Sequence, residues 1–560
     1  MADRPMFGTG GEILADALAR HGVDMAFGVP GESYLALLDA LVDTKIRFIT
    51  CRQEGGATMM ADAYGKLTGR PGVAMVTRGP GAANAAAGVH IAFQDSTPMI
   101  LLIGQVARDM RDREAFQEVD YRQMYGALAK WTAEIDRADR IPEYLNRAFH
   151  TATSGRPGPV VLALPEDMLT EQASVRTVDR YAPVEAHPDP AAMADLRARL
   201  AKARRPLMIV GGGGWDADAC AKVADFVERC DLPVAASFRC QDYIDNRRPC
   251  YVGHVGIGID PKLAARVREA DLLLVVGARL GESTTSGYQL VEPPRPRQTL
   301  VHVYPAAEEL NRVYDADLAI VSGARAFADA LSRLEPVDGA AWSAERRQAR
   351  ADYEAHRRPL TVPGALQMAE IVAGLAERLP EDAILANGAG NYTTWVHRFF
   401  PYRGWRTQLA PTSGSMGYGT PAAVAAKAVH PDRLVIAFAG DGCFMMHGQE
   451  LATAAQHGLG ILVIVVDNGM YGTIRMHQER TYPTRVSGTQ LVNPDFAALA
   501  QAYGCFGARV ETTEQFFPAF DQAIAAADAG RPALLHLLID PEALTPAQSL
   551  SAMRDQALKV

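Results

Sequence analysis

The sequence predicts an α/β protein of three consecutive open parallel-sheet domains. Three observations support this. Runs such as 99–104 (MILLIG), 434–439 (LVIAFA) and 461–466 (ILVIVV) are apolar without alternation, as strands buried on both faces are. These runs are separated by helical stretches, the rhythm of β-α-β units. Two polar, proline-bearing stretches, 171–193 and 342–360, divide the 560 residues into blocks at about 1–175, 190–340 and 360–545.

In the first block, strand 46–50 (IRFIT) leads into 51–69 (CRQEGGATMMADAYGKLTG). Strand 73–77 (VAMVT), a Gly/Ala-rich helix and strand 99–104 follow, and 157–168 (PGPVVLALPEDM) closes the block. The middle block offers strand candidates in PLMIVGGGG, LPVAASF, DLLLVVGARL and TLVHVYP. The third block repeats the plan of the first. Its strand 434–439 ends at Gly440-Asp441-Gly442. Residues 448–457 read as a helix, with Leu451, Ala454 and Ala455 on one face and Gly458 as its stop. Strand 461–466 then ends at Asn468. A right-handed crossover makes the two strands parallel, so Asp441 and Asn468 emerge at the same carboxyl edge. Two hard oxygen ligands beside glycines suit Mg²⁺ on a phosphate, and a helix start adds amide donors for the anion.

Composition excludes several functions. The chain is 48% hydrophobic and 22% charged, with a net charge of −9 and no basic runs. This argues against nucleic acid or an anionic membrane as partner. The opening MADRPMFGTGG has no apolar signal core, and no run reaches the roughly 18 apolar residues of a membrane span. Seven cysteines occur without a CxxC pair. The even spacing from Cys220 to Cys250 matches no metal pattern, so the chain reads as a cytoplasmic protein with reduced thiols.

Residues 52–105, RQEGGATMMADAYGKLTGRPGVAMVTRGPGAANAAAGVHIAFQDSTPMILLIGQ, resemble the pyrimidine-binding domain of thiamine diphosphate enzymes. The stretch GDGCFMMHGQELATAAQHGLGILVIVVDN is similar to that family's GDG…N diphosphate motif. TSGSMGYGTPAAVAAK at 412–427 resembles the segment that bends the cofactor, and REAFQEVD at 113–120 resembles acetolactate synthases in particular. The resemblance spans essentially the whole chain and implies pyrimidine-binding, central and diphosphate-binding domains in that order. It makes Glu54 the acid contacting N1′ of the pyrimidine, desolvated among Gly55, Gly56 and Ala57. Asp441, Asn468 and the carbonyl of Met470 become the Mg²⁺ ligands, within a cofactor site shared by Gly440, Gly442, Pro80 and Asn84. Met416 matches the apolar wedge under the cofactor, Gly414 the carbonyl facing its 4′-amino group, and Gln117 an active-site glutamine. The resemblance also implies a homodimer or homotetramer with active sites at subunit interfaces. The expected activity is acetolactate synthase-like: decarboxylation of a 2-oxo acid donor and ligation to a second carbonyl. The alternatives are decarboxylation to an aldehyde, lysis of a 2-hydroxyacyl-CoA, and a non-catalytic cofactor-binding paralogue.

The sequence departs from the synthase pattern in three places. In the substrate-facing loop 27–41, Glu32 and Ser33 stand where synthases have Gly–Ala, and decarboxylases place an Asp at the Glu32 position. Those decarboxylases carry His–His where this chain has Phe116–Gln117. At Glu32 a buried, protonated carboxyl would favour aldehyde release, a charged one would repel an acceptor carboxylate, and the bland alternative is that Glu32 merely pairs with an Arg at the loop rim. His477 occupies the position of a Trp that favours 2-oxobutyrate, and its bland reading is a solvated loop histidine. The middle block is similar to an FAD-binding domain. However, 211–214 (GGGG) is a weak dinucleotide signal, and 302–309 reads HVYPAAEE where such domains usually carry an acidic residue within the strand near 304, so a structural or ADP-binding role competes with FAD.

Overall fold

The computed structural model describes residues 5–559, which form two compact units. The first contains the chain up to Val184 together with 424–429 and 449–457. A short antiparallel ribbon, β1 (Met6–Thr9) with β8 (Gln172–Val175), joins its two ends. Between them lie β2 (Met25–Gly28), β3 (Arg47–Thr50), β4 (Gly72–Val76), β5 (Met99–Gln105), β6 (Trp131–Glu134) and β7 (Pro159–Pro165). They make one parallel sheet ordered β3-β2-β4-β5-β7-β6. Every residue of β4, β5 and β7 is buried, as helices covering both faces require.

The second unit holds two more six-stranded parallel sheets. The middle one uses β9 (Pro206–Val210), β10 (Val234–Ala236), β11 (Tyr251–His254), β12 (Leu272–Val276), β13 (Thr299–Tyr304) and β14 (Leu318–Val321). Its order is β11-β10-β9-β12-β13-β14, the arrangement of dinucleotide-binding sheets. The last sheet uses β15 (Ile384–Asn387), β16 (Gln408–Leu409), β17 (Val435–Gly440), β18 (Leu462–Asp467), β19 (Phe506–Val510) and β20 (Ala533–Leu538), ordered β16-β15-β17-β18-β20-β19. Counted from each sheet's own first strand, this order is the same as in the first unit. The repeated plan read from the sequence is therefore a repeated topology. The two sheets of the second unit are pinned by segment 239–246. There the buried Asp242 carboxyl accepts from the backbone N–H of Thr407 (3.1 Å) and Gln408 (3.2 Å).

β17 and β18 are parallel neighbours, with Gly440 opposite Val466. Asp441 and Asn468 therefore leave adjacent strands at one edge. The helix after β17 differs from the sequence expectation. It starts at Asp441 and runs to His447, breaks at Gly448, and resumes as Glu450–Gln456. Met445 and Met446 are 54% and 43% exposed, so the first segment has no apolar stripe by which to read it. Among the described residues no helix is long and apolar enough to cross a membrane. All seven cysteines are buried, and Cys220, Cys230 and Cys250 are ordinary members of the middle core.

The glycine run after β9 is largely taken up by packing. A Cβ on Gly211 would fall 1.9 Å from the Ser237 hydroxyl, and one on Gly212 would fall 1.8 Å from the Gly277 carbonyl. Trp215 Nε1 donates to the Gly211 carbonyl at 2.9 Å. Gly214, at φ +82°, faces open space. Tyr304, at the end of β13, is buried and not acidic. The loop thus carries no feature specific to a flavin.

Candidate active site

In the first unit, the loops after β2, β3, β4 and β5 meet at the carboxyl edge of the sheet. Glu54 opens the helix Glu54–Thr68, where Gln53 caps the chain by accepting from the Gly56 N–H. One Glu54 oxygen accepts from Asn84 Nδ2 at 2.9 Å. Its other oxygen lies 3.3 Å from where a Cβ on Gly81 would stand. Asn84 is carried by the helix Pro80–Asp95, which starts with Pro80 at its first position, and Gly79 turns into it at φ +53°. Glu54 is half-buried, while Gly55 and Gly56 behind it are fully covered.

The start of that helix is held by a residue the sequence reading passed over. Glu450, fully buried, accepts from the Arg52 N–H at 3.2 Å and from the Thr453 hydroxyl at 2.6 Å. Burial pushes its carboxyl up, and the Thr453 hydroxyl and the backbone N–H groups of Arg52 and Gln53 oppose the rise. A Cβ on Gly56 would stand 2.5 Å from Glu450 Oε1. Gly56→Ala should therefore cost about 1–3 kcal/mol of stability by overpacking. In a Glu450→Ala background the cost should vanish, a coupling that denaturant melts of the single and double variants measure.

Arg78 clamps three loops. It is 7% exposed and donates to Glu32 (3.0 Å), Glu166 (2.9 Å) and the Phe116 carbonyl (3.1 Å). The Glu32 side chain is 70% exposed and turned outward onto Arg78, the rim pairing rather than the buried carboxyl among the readings of this loop. Gln117 sits in the left-handed region at φ +64°, a conformation that costs about 1–2 kcal/mol for a residue with a Cβ. A Cβ on Gly79 would meet Gln117 Cβ at 2.9 Å, so the two loops touch through a glycine. Glu118 holds the strained turn by accepting from the Asp112 N–H (2.8 Å) and the Ala115 N–H (3.0 Å).

In the second unit, a cavity of about 230 Å³ opens at the carboxyl edge of the last sheet. It lies where the strand order reverses between β15 and β17, the usual ligand position in open α/β sheets. Gly414, Met416, Gly440, Asp441, Gly442, Asn468 and Met470 all line it. Gly414, at φ +69°, has nothing within 4 Å of a would-be Cβ. The Met416 loop is anchored because Cys443 Sγ accepts from the Gly417 N–H at 3.1 Å. His477 is not in this cavity. It is an exposed residue of the helix Gly472–Thr481, whose first turn supplies Gly472, Thr473 and Ile474 to the lining.

Although it ends a strand, Asp441 is only 4% exposed. Burial pushes its carboxyl up to about 6; Asn493 and the Gly442 N–H pull it down, and the neighbouring Asp467 raises it further. Asp467 is held low, against its own burial, by His536, the Gly469 N–H and Asn493.

Family models for the N-terminal TPP-binding, central and C-terminal TPP-binding domains of thiamine pyrophosphate enzymes match residues 8–124, 193–331 and 388–537. The chain belongs to the thiamine pyrophosphate enzyme family. Among curated relatives of this thiamine pyrophosphate enzyme, it is 35% identical to the acetolactate synthase large subunit of Parasynechococcus marenigrum over 92% of this chain and 85% of that one. It is 30% identical to the acetolactate synthase isozyme 2 large subunit of Escherichia coli over 95% of both chains. The acetolactate synthase large subunit of Corynebacterium glutamicum is 31% identical over 96% of this chain and 87% of its own. As a thiamine pyrophosphate enzyme, it is a cofactor-dependent lyase or transferase.

The donor atoms fit a hard cation. Asp441 Oδ2 accepts from Asn493, Asn468 Oδ1 accepts from the Met470 N–H at 3.3 Å, and the Met470 carbonyl accepts from the Gly472 N–H at 2.8 Å. Each oxygen keeps a further lone pair to offer. The sequence reading missed the loop Ala389–Tyr392, Tyr471 and the Asp467–Asn493–His536 group. The first carries a signal that could have been used: a glycine-rich turn directly after a strand, the same cue that marks Asp441.

Proposed function

We propose that this thiamine pyrophosphate enzyme uses Mg²⁺ and acts on 2-oxo acids as acetolactate synthases do, decarboxylating a donor and joining it to a second carbonyl. The observation that carries this reading is the gathering of Asp441, Asn468 and Met470 with Gly414 and Met416 around one cavity. Bound thiamine diphosphate would supply a carbon nucleophile and an electron sink. The chain's part is to bind and orient it and to manage protons. Asp441, Asn468 and the Met470 carbonyl would hold Mg²⁺, and Gly440 and Gly442 would let the diphosphate approach the backbone. Met416 and the Gly414 carbonyl, which line the cavity, would support the cofactor's position, Met416 by apolar contact and Gly414 as a hydrogen-bond acceptor. Glu54, oriented by Asn84, holds a proton at N1′. Pro80 fixes the start of the helix that carries Asn84, and Gln117 faces the substrate. The working form is a homodimer or homotetramer in which the pyrimidine domain of one subunit faces the diphosphate domain of another. FAD is not part of this reading.

The Glu32 cluster supports a particular acceptor. Two carboxylates, Glu32 and Glu166, share the single cation Arg78, which leaves one net negative charge at the loop. That charge disfavours an acceptor bearing its own carboxylate and favours an aldehyde or thioester. Glu32→Gly should raise acetolactate relative to acetaldehyde when pyruvate is the sole substrate. An unchanged product ratio from mildly acidic to mildly alkaline pH would leave Glu32 without this role. The reading as a whole is tested by supplying 2-oxo acids to protein loaded with thiamine diphosphate and Mg²⁺, with and without aldehyde or acyl-CoA acceptors. Products are identified by mass spectrometry. A ligated hydroxyketone is the expected result, and cofactor binding without turnover of any 2-oxo acid would contradict it.

A further inference from the structure

We infer that Asn493 is a positioning residue: it fixes the carboxylate of Asp441 in the orientation that presents an oxygen to the metal. The inference rests on the reading of Asp441 as a metal ligand. Asn493 Nδ2 donates to Asp441 Oδ2 at 2.8 Å and to Asp467 Oδ1 at 2.8 Å. An amide nitrogen has two hydrogens, and both are committed. Asp467 is the fixed post of this arrangement. Its Oδ1 also accepts from the Gly469 N–H at 2.9 Å, and its Oδ2 lies 2.9 Å from His536 Nε2. Val466 and Asn468 line the cavity while Asp467, between them, does not, as alternation along a strand requires. Asp467 thus faces away from the ligand space, and Asn493 transmits its fixed position to Asp441.

The backbone that delivers Asn493 is tied to the same loop as the metal ligands. The Tyr471 N–H donates to the Thr489 carbonyl at 2.8 Å, and the Leu491 N–H to the Gly469 carbonyl at 2.8 Å. Met470 and Gln490 form an antiparallel bridge. Segment 489–493 is therefore a clasp laid along 469–471, ending in the amide that reaches Asp441. An asparagine suits the task. A leucine would take one donor away from each of two buried carboxylates, and a serine has one hydrogen for two acceptors.

The test uses Mn²⁺ as the probe, titrated into the full-length protein with saturating thiamine diphosphate and read by electron paramagnetic resonance. Loss of a partner that orients a metal ligand typically weakens the metal ~10–100-fold. Asn493→Ala should weaken Mn²⁺ within that range and raise the cofactor concentration needed for half-activity, with a much smaller change in turnover at saturation. Asn493→Ser, which keeps one donor and strains the fold less, should fall between the two. Added to Asp441→Ala, Asn493→Ala should cause no further loss, because it acts through Asp441. If Asp441→Ala weakens Mn²⁺ but neither Asn493 variant does, the inference is wrong and the metal-ligand reading stands. Full additivity with Asp441→Ala would also overturn it. If Asp441→Ala itself leaves Mn²⁺ affinity unchanged, the metal-ligand reading fails and takes the inference with it.

Discussion

Glu54→Gln should lower turnover by ~10²–10⁴-fold, the usual worth of positioned acid–base assistance, while thiamine diphosphate still binds. The substitution keeps length and shape. Its carbonyl oxygen can still accept from Asn84 Nδ2, which lies 2.9 Å from Glu54 Oε2. Gln53 and Glu450 still hold the start of the helix, since neither contact involves the Glu54 side chain. What is lost is a group that can give and take a proton. Hydrogen–deuterium exchange at C2 of the bound cofactor reads that loss directly and should slow in step with turnover. Exchange near the wild-type rate in the variant would make Glu54 a purely structural residue. Asn84→Ala should give a weaker form of the same behaviour, because it frees the Glu54 carboxylate without removing it.

The sequence made the strands legible because parallel sheets covered on both faces demand unbroken apolar runs. β5, β17 and β18 lie within a residue or two of the runs that announce them. The positions of Asp441 and Asn468 followed, since a strand that ends in GDG and a parallel neighbour that ends in DN leave the sheet together. What stayed hidden was long-range. Asn493 stands in LVNPDF, and Asp495 beside it caps the next helix by accepting from the Ala497 and Ala498 N–H groups, which is all the local pattern announces. His536 lies inside an apolar strand, and nothing in ALLHLL tells that its ring meets Asp467. Glu450 is separated by 398 residues from the Arg52 N–H it accepts from. At Glu32 the local sequence could not choose between burial and a rim ion pair, for a related reason. Its burial depends on whether a cation waits at the rim, and Arg78 comes from a different strand end.

Asp441→Ala should change cofactor affinity and apo-protein stability in opposite directions. Removing a charged ligand from a hard cation should weaken thiamine diphosphate–Mg²⁺ binding by more than the ~10–100-fold caused by losing a partner behind a ligand. Stability should respond differently. In the metal-free protein, burial pushes the Asp441 carboxyl up to about 6 from its ordinary value near 3.8. Between those values the folded state binds more protons than the unfolded one, so stability falls as pH rises through the window and stays lower above it. Alanine removes that burden. Asn493 loses one acceptor but keeps Asp467 at 2.8 Å, so its amide is not left wholly unpaired. The apo variant should therefore melt at or above the wild-type temperature at neutral pH, with the difference shrinking as pH falls toward 4. With cofactor and Mg²⁺ the order should reverse, because a ligand at ~100 times its dissociation constant stabilises by about 2.7 kcal/mol and the variant forfeits that increment. Melts with and without the ligands, together with titration calorimetry, measure both halves. A variant that binds the cofactor as tightly as wild type, or that melts lower only in the apo form, would show Asp441 to be a structural carboxylate.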